Sequence, residues 1–478
     1  RCYYKLNGGP EIQFGGLSGS NGLSITSAAS AIVSGNTIQI VIRTMENTAG
    51  TNGAYPRAMA FDNVTLTSIS VLYSRGSGNW SNNGTWSTEG LDGASCSCSP
   101  DANARVIIGN GHDVKIPSSG GTAAGVTILN TGILSFNPNT ELVITRGGTL
   151  YIETGGQLTD KNEDKSKIVY GNYSYTTVIN GEFSVGDLEL DNGANVSFSG
   201  SGLLEVEDDF LIGTGSTVTN SLVGGIAVTD AMLFESTASY LNFINEGPLT
   251  VGNSLSFSAS NINFVNMNTV SVGSLVVSAS GNNNNVFTNA LGSTLNVGEI
   301  DVNTGDFTFN NAGTVNQSGN FADVDAGSAF NNLDGSTWNF SGAGNNTRLF
   351  LDNGSNIFNY SASGTQNVLV PADAYSTLQL SGSGPKSSTG NLDINGNLEI
   401  SGAASLDVNA GDDNINLAGN WTVTSSNTNA FVQGTTTETV TFDGTADQTI
   451  HNSAGETFNR LVINKSSGNV ILDTSSGT

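Results

Sequence analysis

The chain has 478 residues with 61 glycines but only 8 prolines, and charged residues make up 12 %, about half the usual share. Fifteen Lys and Arg against 41 Asp and Glu leave a net charge of −26, which excludes a nucleic-acid reader, since that needs a basic stripe. No apolar run approaches the roughly 18 residues of a membrane helix. The 37 % hydrophobic content, set at fixed periods, points away from disorder and towards short strands joined by tight turns.

The chain begins at Arg1 without an initiator Met or a signal peptide, so a processed or excised piece is expected. Residues 1–72 differ from the rest. A strand-like run, TIQIVIRTM (Thr37–Met45), precedes a Gly/Asn-rich loop and then RAMAFDNVTLTSISVLY. In that ending Phe61, Asp62, Asn63 and Val64 resemble the last strands of bacterial jelly-roll modules of the carbohydrate-binding type. The resemblance covers only the tail of such a module and implies a partial jelly-roll β-sandwich, because the segment has room for four or five of about eight strands. Three cysteines occur, Cys2, Cys96 and Cys98. The CSC pair is too close for ordinary zinc-ligand spacing. A small Cys96–Cys98 loop, a bridge to Cys2 and a bridge to a cysteine upstream all remain open.

From Gly78 the text changes to GNWSNNGTWS, with Trp80 and Trp86 close together. Short strand-like runs follow, in which Leu134, Leu142, Leu150 and Leu158 recur at steps of eight. The Trp pair, the glycines before each strand and the strand pairs resemble the eight-glycine domain of extracellular proteins, over residues 78 to about 158. That resemblance implies a right-handed β-helix, a surface context and no catalytic set. Residues 73–165 are therefore read as the capping start of the helix, with the Trp pair as a hydrophobic lid, since solenoid ends must be capped. The charge cluster TDKNEDKSK (Thr159–Lys167) is expected to be a solvated loop protruding from one coil.

Residues 166–337 contain the clearest repeat. Phe243, Phe264, Phe287, Phe309 and Phe330 are spaced 21, 23, 22 and 21 apart, and Asn245, Asn266, Asn289, Asn311 and Asn332 each follow two residues later. Leu249, Val270, Leu295, Val315 or Trp338 comes next, then Gly252, Gly273, Gly298, Gly319 or Gly342. A period near 21 suits one coil of a solenoid. Stacking such coils puts Phe on Phe in the core and Asn on Asn at a corner, where each amide can donate to one neighbour and accept from the other. Asn also tolerates the left-handed backbone of tight corners.

Over 338–478 a longer period appears. Trp338 and Trp421 lie 83 apart, Phe358 and Phe442 84, Gln366 and Gln448 82, and Leu378 and Leu461 83. Four coils of about 21 residues would make one unit. FNYSASGTQNVLV, GNLDINGNLEISG and FNRLVINKSSGNVIL resemble repeats in very large secreted surface adhesins of gliding and environmental bacteria that use type IX secretion. The resemblance implies export, cell-surface attachment and an adhesive or stalk role. It also implies partners: cell-surface or polysaccharide ligands, further domains of a parent chain and the secretion machinery. The chain stops inside the next unit, so further coils are expected to follow.

His112 and His451 are over 300 residues apart and cannot share a site in a rod. Asp208–Asp209 and Asp412–Asp413 form acidic pairs, but no Arg, Lys or His recurs one coil away to complete an acid–base constellation. Asp323 and Asp325 flank one residue and could face calcium, yet further oxygen ligands are missing. Ice or crystal binding would need ranks of Thr on one face; TTTE at Thr435–Glu438 is isolated, and no Thr column is expected at the coil period. The reading is an all-β chain: a right-handed parallel β-helix of about 19 coils, about 21 residues each and roughly 90 Å long, after a partial jelly roll. It is expected to be a non-enzymatic, cofactor-free stalk or adhesive shaft. The rival is a carbohydrate-binding or polysaccharide-degrading β-helix.

Overall fold

The computed structural model describes residues 2–6, 12–15, 38–42, 70–160, 165–235, 240–278, 284–303, 306–325, 327–343, 349–351, 354–452 and 454–473. The chain divides into two units, Arg1–Leu66 and Thr67–Thr478. In the first, Cys2–Leu6 pairs antiparallel with both Ile12–Gly15 and Ile38–Ile42. The last of these is the strand expected within TIQIVIRTM. Phe61–Val64, which carry the jelly-roll resemblance, lie outside the described residues.

The second unit is a parallel β-solenoid of about 16 turns, with equivalent strands about 22 residues apart. At about 4.8 Å per strand that is roughly 75 Å of stacked coils. Loops between the walls consume residues, which is why the coils are fewer than nineteen. The solenoid begins earlier than Gly78: Ser70–Ser74 already pairs in parallel with Ala104–Ile108. Each coil turns through three walls. The eight-residue leucine period is one wall per step: Leu134, Leu142, Leu150 and Leu158 fall on four successive strands. Leu134 pairs with Leu158 one turn on, and all four are fully buried.

In the Phe-x-Asn coils two walls are continuous. Leu249–Phe257, Thr269–Val277 and Thr294–Val302 are nine-residue strands, each bent at its glycine. A Cβ on Gly273, Gly298, Gly319 or Gly342 would lie 2.7, 2.1, 2.6 or 2.0 Å from the carbonyl oxygen of the glycine one coil earlier. Only glycine lets the bends nest this closely, which explains its recurrence at the coil period.

The longer repeat departs from a simple four-coil unit. Trp338, Phe358, Leu378, Leu398 and Trp421 pair in succession on one wall, so the two Trp are four turns apart. Phe442 and Leu461, however, lie on the sheet of Leu392–Ile394, Ile415–Leu417, Val440–Phe442 and Leu461–Ile463, whereas Phe358 and Leu378 lie on the Trp wall. The two copies stand one wall out of step. Coil length is the cause: 20 residues separate Trp338 from Phe358, but 29 separate Trp421 from its partner Ile450.

What the copies share is a corner device. Gln366 donates to the carbonyls of Phe340 and Gly342, both at 2.8 Å, and Gln448 donates to those of Leu417 and Gly419 at 2.8 and 2.6 Å. One coil on, the Lys386 ammonium donates to Ala362, Gly364 and Ser383 carbonyls, and Lys465 does likewise towards Gly444, Ala446 and the Gln448 amide oxygen.

Candidate functional site

The five phenylalanines form one internal column. Phe243–Phe264, Phe264–Phe287 and Phe287–Phe309 stack at 5.0, 4.9 and 5.0 Å, within 6° of parallel, and Phe309–Phe330 at 6.1 Å and 21°. The asparagines form a buried ladder at the corner that follows. Amide-to-amide bonds of 3.0, 2.8, 2.8 and 2.8 Å join Asn245, Asn266, Asn289, Asn311 and Asn332. Asn220 and Asn356 extend the ladder at its two ends. The sequence missed both, because neither follows a Phe by two residues. None of the ladder asparagines has positive φ, so amide pairing, rather than a left-handed turn, is what selects Asn here.

The ladder reaches outwards through the backbone. Asn266, Asn289, Asn311 and Asn332 each spend their second amide N–H on the carbonyl of Thr294, Thr314, Thr337 or Ile357. Those acceptors open the strands of the next wall, and here one expectation fails. Thr269, Thr294, Thr314, Thr337, Ile357 and Thr377 pair in unbroken register, one per coil. A threonine column therefore exists. The spacings of 25, 20, 23, 20 and 20 with one Ile hide it, since loops of unequal length shift the period while hydrogen-bond register does not. Two residues on, Ser271, Asn296, Asn316, Asn339, Asn359 and Gln379 form a second outward column. Amide bonds of 3.1, 2.9, 2.9 and 3.0 Å run from Ser271 to Asn359.

The acidic residues are also brought together more than expected. Carboxylate oxygens of Asp208, Asp209 and Asp230, from adjacent coils, lie within 4.8 Å of one another. Lys165 in the charged loop reaches Asp208 at 3.1 Å, so a basic residue does join this acidic pair, contrary to the expectation from spacing. Partial burial, with Asp208, Asp230 and Asp187 nearby, raises the Asp209 pKa. The hydrogen bond and charge of Asp208 raise that of Lys165. A lysine that holds its proton more tightly is moved away from general-base chemistry, which requires the opposite shift. The three carboxylates are the described residues best arranged to hold a hard cation, which prefers such oxygen ligands.

Asp412 and Asp413 serve corners instead. Asp412 accepts from the Thr435 and Thr436 backbone and the Thr436 hydroxyl, which lower its pKa, and Asp413 accepts from Ser388 at 2.6 Å. TTTE is thus a corner, and its Glu438 is fully buried, which raises its pKa. His112 Nδ1 lies 2.7 Å from Ser74 Oγ. That hydroxyl accepts the Gly109 N–H at 2.8 Å, is hydrogen-bonded to the imidazole, and is fully buried, so it cannot reach a substrate. His451 faces Asp473 at 3.2 Å, far along the coils.

At the first coil Trp80 and Trp86 are 2 % and 0 % exposed and meet edge to face at 5.4 Å, with the Trp86 indole N–H on the Trp80 carbonyl at 2.7 Å. They are a lid, and their faces are closed to sugars. Cys96 and Cys98 are joined to each other, which resolves the three alternatives and leaves Cys2 outside that bond.

The class these features define is an all-β parallel solenoid with inner and outer side-chain ladders. No protein family, curated protein or solved structure matches the chain.

Proposed function

We propose that the chain is a load-bearing shaft of a large secreted bacterial surface protein, holding an adhesive partner away from the cell. The observation that carries this reading is the unbroken stacking of one coil on the next, with backbone pairing reinforced by ladders of buried amides and rings. In a solenoid each repeat contacts only its neighbours, so such reinforcement resists separation along the axis. The similarity of the last third to repeats of type IX secreted adhesins supports export and surface attachment, and supports cell-surface or polysaccharide partners. Among the described residues no helix is long and apolar enough to cross a membrane. Single-molecule pulling from both ends of the solenoid tests the proposal. The expected record is stepwise, each step releasing the contour of one or a few coils. Global unfolding in one event at low force would sink it.

A second reading is favoured by one feature, the Asp208–Asp209–Asp230 cluster with Lys165. It would make the chain a polysaccharide-binding or polysaccharide-cleaving solenoid that uses a divalent cation. Turnover assays with calcium on uronic-acid and neutral glycans decide: chain cleavage abolished by Asp208→Asn would replace the shaft reading, and no turnover is the expected result.

A further inference from the structure

We propose that the outward wall bearing Thr269, Thr294, Thr314, Thr337 and Thr377 is an ice-binding face, whose partner is crystalline water. The inference goes beyond the shaft reading, since a shaft needs no such face.

Both columns sit on strands whose alternate residues, Val270, Leu295, Val315, Trp338, Phe358 and Leu378, are fully buried, so the Thr and Asn side chains point away from the core. Rows repeat every ~4.8 Å along the axis, and the columns are two residues, ~6.6 Å, apart. Together they make a two-dimensional array of hydroxyls and amides over six coils, interrupted at Ile357 in the first column. No register shift interrupts either column.

Charge narrows the partner. None of these twelve positions is charged, on a chain of net charge −26. A neutral stripe on an acidic rod matches a neutral surface and offers nothing to a polyanion or a cationic polymer. No aromatic face is offered either, because Trp338 and Phe358 point inwards. A single glycan chain would want aromatic stacking and would engage one line of groups. Two columns in register fit a solid with a lattice in both directions.

Rigidity is the remaining requirement, because many weak contacts add up only when the template has little ordering left to lose. The inner ladder supplies it: buried amides hold the backbone carbonyls of Thr294, Thr314, Thr337 and Ile357. From Asn296 to Asn359 the outer amides brace one another, each using one N–H and one acceptor site and keeping a second of each, and Gln379 ends the column on Glu399. Among the described residues no hydrogen bond engages the Thr hydroxyls.

The test uses the full chain, fluorescently labelled, against single ice crystals and in a recrystallisation assay at micromolar concentration. The expected result is adsorption to ice that falls at least tenfold in Thr314→Tyr. Thr288→Tyr, on the outer side of the preceding wall, should leave it unchanged. Thr314→Lys guards against misfolding of the bulky variant, and circular dichroism checks both. Exclusion of the wild-type chain from growing ice would overturn the proposal, as would undiminished adsorption by a folded Thr314 variant. Binding to crystalline cellulose or chitin without binding to ice would also overturn it, making a neutral polysaccharide the occupant.

Discussion

The coils around Phe243–Phe340 and those from Ile357 onwards solve one problem in two ways. In the first region the sequence repeats once per coil, so identical residues land on top of one another and form ladders. In the second the sequence repeats every 82–84 residues, and after the shared Trp position its copies fall on different walls. The outer amide bonds run on only as far as Asn359, and the buried Asn ladder ends at Asn356. Corners there are sealed one at a time, by Gln366 with Lys386 and by Gln448 with Lys465. A one-coil repeat yields cooperation between neighbours, and a multi-coil repeat yields self-contained plugs.

The largest effect should come from breaking the ring column. Phe287 is fully buried between Phe264 and Phe309, and Phe287→Ala should cost about 3–5 kcal/mol. Because the loss is local in a repeat array, hydrogen exchange should accelerate in the two flanking coils and hardly change beyond Trp421. Uniform acceleration along the solenoid would show that the regions are not energetically separate.

Next comes the inner ladder. Asn311 donates to Asn332 and Thr337 and accepts from Asn289 and the Gly313 N–H. Asn311→Ala strands several buried polar groups, at about 1–3 kcal/mol for each left unpaired. Denaturant midpoints should fall by about 2–3 kcal/mol in equivalent free energy, less than for the ring. A neutral outcome would mean that stacking alone sets the register.

Much of this was legible beforehand because side-chain period and coil period coincide. A Phe-x-Asn offset repeated five times can only be satisfied by stacking, and a leucine every eight residues is one residue per wall. The threonine column was not legible, since Thr269 and Thr294 are 25 apart while Thr294 and Thr314 are 20 apart. Spacing counts loop residues, whereas register counts only hydrogen-bonded ones. The Asp208 cluster was hidden for a similar reason. Lys165 stands just before the strand Lys167–Tyr170, outside the strand period, so its spacing from Asp208 carries no coil signal.

The plugs predict a pH signature that the ladders lack. Burial lowers the Lys386 pKa from the ordinary 10.5 to about 8, so the folded chain releases this proton first. Stability should therefore rise as pH climbs from about 8 to 10.5, where the unfolded chain still binds it. Tyr170, Tyr175, Tyr360 and Tyr375 shift upwards through burial and act oppositely: stability is lost once pH passes the ordinary tyrosine value of 10. Lys386→Met should abolish the rise between pH 8 and 10, lower stability by about 1–2 kcal/mol at pH 7, and leave the fall above pH 10 intact. Thermal melts of both chains across that range would show it.

The smallest expected effect separates the two ladders of the first region. Asn316 lies in the outer column, half-buried, bonded to Asn296 and Asn339 at 2.9 Å. Water can replace each of those bonds, so Asn316→Ala should cost less than about 1 kcal/mol, against two to three times that for Asn311→Ala only a few residues away. Inner amides would then carry stability, and outer amides would be maintained for what they face. Equal losses at the two positions would mean that the outer column is structural as well, and its regularity would need no partner to explain it. Chemical denaturation of the two single variants and the double variant, read as a cycle, distinguishes these outcomes within one experiment.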